Sequence, residues 1–141
     1  MPIEILFFDI GGTLGEWNQA AGKLIPYPGT TRLLRAVREE MGARIGIITT
    51  LGSLGNAQGR DILGQAGLAG FLDPTAFVSE HDVNGAGKPR PEIYRFAARS
   101  ARASIGDCLY VGENLTEVIG AMTAGMRAIL KPCPPGRELP V

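Results

Sequence analysis

Histidine and cysteine are scarce in this chain: His81 stands alone, and Cys108 and Cys133 are the two thiols among 141 residues. Cys108 lies in an apolar run and Cys133 in a proline-rich tail. Neither a metal-ligand spacing nor a disulfide framework is available to them, and two reduced thiols are expected. His81 falls between Glu80 and Asp82 in a polar segment and reads as a solvated side chain. An excess of one charge is lacking as well. Lys plus Arg number 14 against 14 Asp plus Glu, a formal net charge of zero, so no global field draws the protein to nucleic acid or to an anionic membrane. No apolar run is long enough to span a bilayer. Glu4 interrupts the first apolar run and no basic region precedes it, which argues against a signal peptide. A soluble protein of the cytoplasm is the expectation. Repeats and low-complexity tracts are missing. Gly11-Gly12 and the glycines from Gly52 to Gly59 lack the Gly-x-Gly-x-x-Gly spacing, which sets aside a dinucleotide site.

What is present is alternation. Short runs of branched aliphatic residues alternate with segments of helical period, the pattern of an α/β, doubly wound, mostly parallel five-stranded sheet. The strands are expected at Ile3 to Asp9, Arg44 to Thr49, Ala76 to Ser79, Cys108 to Val111 and Arg127 to Leu130. A helix over Thr31 to Met41 would turn Leu33, Leu34, Val37 and Met41 inward and Arg32, Arg35, Arg38 and Glu39 outward. Further helices are expected at Arg60 to Ala66, Pro91 to Arg102 and Leu115 to Ala124, with Gly67, Gly106 and Gly125 at helix ends. Gly15 to Pro28 reads as a loop or short hairpin, and residues 131–141 as an extended tail. The length suits one compact domain over 1–141.

Four segments at the ends of these strands carry chemistry. The first is Asp9-Ile10-Gly11-Gly12-Thr13-Leu14. A carboxylate leaving a buried first strand sits where α/β proteins place ligands, and glycines let a substrate or metal approach the backbone. Where a second acid commonly assists proton transfer, two residues on, stands Gly11. The second segment is Ile47-Ile48-Thr49-Thr50, a hydroxyl leaving the second strand. The third is Gly87-Lys88-Pro89-Arg90-Pro91-Glu92-Ile93-Tyr94, and the fourth Val111-Gly112-Glu113-Asn114-Leu115-Thr116-Glu117. Singly, Lys88 also reads as a solvated loop charge, and Glu113 with Glu117 as acids favoured by a helix dipole. Together with Asp9 and Thr49 they read as one site. A carboxylate, a hydroxyl, a lysine and a hard cation on oxygen ligands suffice for the first step of phosphoryl transfer.

With these segments in this order, the chain resembles the haloacid dehalogenase-like (HAD) hydrolase superfamily over nearly its whole length. The resemblance implies a Rossmann-like core with Asp9 as covalent nucleophile, Thr49 as hydrogen-bond donor to the phosphate and Lys88 as the charge that steadies the nucleophile and the transferring group. It implies a magnesium ion (Mg2+) held by Asp9, the backbone carbonyl of Gly11, Glu113 and Glu117. Gly12, Thr50 and Trp17 are candidate substrate contacts, Trp17 either covering a ligand or anchoring its loop. Four residues depart from the family pattern: Gly11 and both Glu113 and Glu117 stand where aspartates are usual, and Thr50 where an asparagine often follows the hydroxyl residue. Without an acid at position 11, which is typically worth about a hundred- to ten-thousandfold, turnover should be slow. The segments after Asp9 and between Thr49 and Lys88 are too short for a cap domain, so an open site is expected. Such a site suits a phosphorylated small molecule or macromolecule, or enclosure by a protein partner or a second copy. Two readings stay open: a magnesium-dependent phosphatase or phosphotransferase, and a degenerate HAD domain that binds phosphate or a protein. A response-regulator receiver fits less well, because it needs an acidic pair after the first strand and its acceptor on the third.

Overall fold

The computed structural model describes residues 2–18 and 21–131. The tail beyond Lys131, with Cys133, lies outside them.

The most apolar run of the amino-terminal region, Ile5–Phe8, is β1 and the centre of the sheet; its four side chains are buried. It pairs in parallel with β4 (Arg44–Thr49) on one side and β6 (Cys108–Gly112) on the other. β5 (Phe77–Ser79) and β7 (Arg127–Leu130) form the edges, giving the order β5-β4-β1-β6-β7. Because a parallel sheet is covered on both faces, β1 contributes to two cores. Ile5 and Phe7 face α3 (Pro91–Ser100) and α4 (Leu115–Ala124), whereas Leu6 and Phe8 face α1 (Thr30–Glu39) and α2 (Asn56–Gln65). The expected α/β, doubly wound sheet is what forms.

The helices differ from expectation in their limits. Leu34 and Val37 of α1 are buried with Thr30, but Leu33 is 40% exposed and Met41 53% exposed. Leu33 lies on the flank of the inward stripe, and Met41 falls beyond the last helical turn. Helix α2 begins at Asn56, not Arg60; Gln58 accepts the Gly55 N–H at 2.8 Å and supports this start. Its Gly59 is a packing residue, since a Cβ there would lie 2.8 Å from Phe77 Cζ. Gly67 and Gly125 adopt left-handed backbone after helices. Gly106 does not; it sits in a single 3-10 turn, Ile105–Asp107, and the left-handed residue after α3 is Arg102.

Between β1 and α1 the chain forms an antiparallel hairpin, β2 (Gly15–Asn18) and β3 (Lys23–Pro26), with Trp17 opposite Leu24. No helix among the described residues is long and apolar enough to cross a membrane.

Candidate active site

Strand order sets the neighbours. With β1 between β4 and β6, the segments that follow Phe8, Ile48 and Val111 emerge side by side. They enclose a cavity of about 310 Å3 that brings together every site residue expected from the sequence.

Asp9 leaves β1 with its Oδ1 accepting the Ile10 N–H at 2.8 Å and the Lys88 ammonium at 3.0 Å. Lys88 is not a solvated loop charge: its side chain is 1% exposed. The Nζ lies 2.7 Å from Glu117 Oε1 and 3.0 Å from the Tyr110 hydroxyl, so its three donors have three acceptors. Burial raises the Asp9 carboxyl above its ordinary value, Lys88 opposes that rise, and the charge of Glu117 adds to it. Two carboxylates facing one ammonium leave the cluster with an excess of negative charge.

Glu117 is held from three directions. Its N–H donates to Asn114 Oδ1 at 3.1 Å, capping α4. Its carbonyl accepts the Tyr94 hydroxyl at 2.7 Å, and its Oε1 accepts the Tyr110 hydroxyl at 3.2 Å. Tyr94 and Tyr110 meet edge to face, with ring centroids 5.6 Å apart. Burial, then the nearby Asp9 and Glu117 charges, push the Tyr110 phenol well up, which keeps it a neutral donor. The glutamate expected among the metal-binding acids thus gives its carboxylate to Lys88 and Tyr110. Tyr110 is not legible in the sequence as a site residue, because it sits in an apolar strand pattern; Tyr94 closes the third segment singled out in the sequence, where nothing assigns it a role.

The two glycines after Asp9 admit the protein's own side chains. A Cβ on Gly11 would lie 2.5 Å from Trp17 Cδ1 and 2.6 Å from Trp17 Nε1, so the indole fills the place of a second acid. Gly12 has φ +80°, and a Cβ there would meet the Glu113 side chain at 2.7 Å. Thr49 is 2% exposed at the end of β4, and Thr50, exposed beside it, lines the same wall. Glu16 also lines the cavity and accepts the Tyr27 hydroxyl at 2.8 Å; sequence reasoning passed over it as part of an irregular loop. His81 is elsewhere, its Nε2 2.8 Å from the Leu54 carbonyl.

The donors suit a hard cation in type: the Asp9 and Glu113 carboxylates and the Gly11 carbonyl offer oxygens beside an uncompensated negative charge. No group of three or more His, Cys, Asp or Glu among the described residues forms a ready-made metal cage. Magnesium typically takes one or two carboxylates and fills its remaining positions with water and phosphate oxygens, so this set fits it.

Known proteins agree with this architecture. The family model for haloacid dehalogenase-like hydrolases matches residues 16–125, a span that begins beyond Asp9. Phosphatase MT3486 of Mycobacterium tuberculosis is 33% identical over 104 residues, 74% of this chain and 45% of that protein. Enolase-phosphatase E1 of Chaetomium globosum is 30% identical over 139 residues, 96% of this chain and 50% of that protein. The chain therefore spans about half the length of the curated relatives it matches. A HAD family hydrolase from Deinococcus radiodurans, crystallised with phosphate and sodium, shares the fold at a TM-score of 0.75 and 18% identity, over 97% of this chain and 83% of that one. The matched family model, covering most of the chain and ending at the glycine that closes α4, places this protein in the haloacid dehalogenase-like hydrolase family.

Proposed function

We propose that this chain is a phosphohydrolase domain in which Asp9 is the nucleophile toward a phosphate-bearing small molecule or macromolecule. The observation that carries the reading is Lys88, buried between Asp9 and Glu117 at the wall of a cavity that Thr49 also lines. Burying an ammonium is costly unless it is paired, and this pairing fixes it against the nucleophile. An Asp9 carboxylate oxygen bonds to phosphorus as the bond from phosphorus to the leaving oxygen breaks. That oxygen departs with the electron pair and takes a proton from solvent. Water then cleaves the aspartyl phosphate, returning the carboxylate and inorganic phosphate. A magnesium ion, held by Asp9, the Gly11 carbonyl and Glu113, would neutralise charge on the phosphoryl oxygens. Lys88 steadies the same charge, while Tyr110 and Glu117 hold Lys88 in place. Two curated relatives that carry phosphatase in their names support this chemistry. The open cavity also leaves room for a partner protein or a second copy to complete the enclosure.

The test is phosphate release from a panel of phosphoesters and acyl phosphates with magnesium, comparing the unaltered protein with Asp9→Asn. Asp9-dependent release, or an adduct of a phosphate analogue on Asp9, is the expected result; absence of both would exclude the reading. Calorimetric titration of magnesium in the presence of phosphate reads the metal separately. A second reading, a degenerate domain that only binds phosphate or a partner, draws on Trp17 filling the place of the second acid. It predicts phosphate binding without release.

A further inference from the structure

A second cavity, of about 470 Å3, adjoins the one that holds Asp9, and Trp17 and Thr50 are walls of both. Among the described residues its remaining lining is mainly apolar, with Leu51, Leu54 and Ile62 as the large side chains and Asn18 and Ser53 as the polar ones. Its floor is the segment that follows β4, and that segment is pinned rather than loose. Glu80 accepts the N–H of Leu51 at 2.8 Å and of Gly52 at 2.9 Å; the Leu54 N–H donates to the Leu51 carbonyl at 3.2 Å; His81 bonds the Leu54 carbonyl at 2.8 Å. A group that left the phosphoryl centre past Trp17 would enter a preformed, mainly apolar slot with an indole in its wall. Ligand sites have this character, with apolar walls and a few fixed polar groups.

We propose that this cavity is the leaving-group subsite, and that it takes an apolar, planar group such as an aromatic ring esterified to phosphate. The assignment rests on the phosphohydrolase reading, since continuity with the Asp9 cavity is what identifies the occupant. Trp17 then has two tasks: it excludes an acid from position 11 and stacks on the organic part of the substrate. Specificity follows from the walls, because a sugar or other strongly hydrated group would leave its hydroxyls without partners against Leu51, Leu54 and Ile62.

Trp17 is the single tryptophan of the sequence, so its fluorescence reports occupancy directly. The full chain is titrated with methylphosphonate and with benzylphosphonate, which share the anionic group and differ in the ring. Benzylphosphonate is expected to bind about tenfold to a hundredfold more tightly, from the apolar area that a ring removes from water, and to shift the Trp17 emission. Leu54→Ser and Ile62→Thr are each expected to bring the ratio of the two affinities toward one. A ratio near one in the unaltered protein, or a ratio unchanged in both variants, overturns the subsite. Asp9-dependent phosphate release from acetyl phosphate, which has no apolar group to seat, reads the phosphohydrolase independently. Release with a ratio near one removes the subsite alone, whereas a high ratio without release removes the catalytic reading and the leaving-group role with it, leaving only an apolar binding slot.

Discussion

Tyr110 shows how much one buried hydroxyl can govern. It accepts from Lys88 and donates to Glu117, so Tyr110→Phe leaves an ammonium donor and a carboxylate lone pair each short of a partner. The expected cost is about 1–3 kcal/mol of stability, visible as a lower denaturation midpoint. Because the ring remains and Asp9 keeps its place, phosphate release should persist at a rate about tenfold lower, with KM little changed. A fall in activity confined to KM would instead make Tyr110 a determinant of substrate binding. Glu80 is a second residue whose carboxylate holds structure. Burial pushes it up, but the N–H donors of Leu51 and Gly52 outweigh that and hold it below its ordinary 4.5. A depressed folded value means that the contribution to stability is present above the unfolded value and lost as pH falls through the folded one. Glu80→Gln should therefore lower the melting temperature at pH 7 by roughly 2–4 °C. The gap from the unaltered protein should close as the pH is taken below about 4; a gap that persisted in acid would show that the carboxylate charge is not what holds the loop.

Among the elements, the hairpin of β2 and β3 is the one that redirects the site. It delivers Trp17 to Gly11 and Glu16 to the cavity rim. Restoring the family's acid is the natural experiment, and the hairpin forbids it as a single change. In Gly11→Asp the new Cβ would fall 2.5 Å from the indole, so we expect a loss of about 1–3 kcal/mol from overpacking and no gain in phosphate release. Removing the obstruction as well, in Gly11→Asp/Trp17→Ala, should recover stability relative to the single variant and raise turnover of small phosphate esters by about tenfold or more. Calorimetry and a release assay on the three proteins decide it; a faster Gly11→Asp single variant would show that the indole yields freely. Helix α4 acts in a similar way on Lys88. Gly120 lets the helix approach so closely that a Cβ would meet the Pro89 carbonyl oxygen at 2.4 Å, which fixes the segment carrying the lysine.

Across the whole molecule, the candidate site and a cluster of ion pairs occupy opposite ends of the sheet. The carboxyl ends of β1, β4 and β6 hold Asp9, Thr49 and Glu113. At the other end Arg44 joins Glu4 at 3.1 Å and Asp73 at 3.0 Å, tying the starts of β1 and β4 to the turn before β5. Arg44→Ala should cost up to about 1 kcal/mol, as expected for half-exposed ion pairs, and leave Asp9-dependent release intact. A loss of release in a folded Arg44→Ala protein would mean that the two ends of the sheet are coupled. The central strand makes such coupling weak, because its buried side chains are packed from both faces and have little room to shift.

The local pattern alone determined the class of fold, the five sheet strands and the segments that bear Asp9, Thr49, Lys88 and Glu113, because strand period, turn glycines and helix-starting prolines act over a few residues. It blurred wherever a residue's neighbours came from distant parts of the chain. Gly59 and Gly55 hid the start of α2, since a glycine required by packing against Phe77 looks locally like a breaker. Lys88 read as either catalytic or solvated until its partners on β1, β6 and α4 were in place. Only the tertiary structure decided that Glu117 faces Lys88, that Tyr110 completes the ammonium's coordination and that Trp17 fills the space beside Gly11. Each of those outcomes depends on contacts between elements far apart in sequence, and such contacts leave no period along the chain.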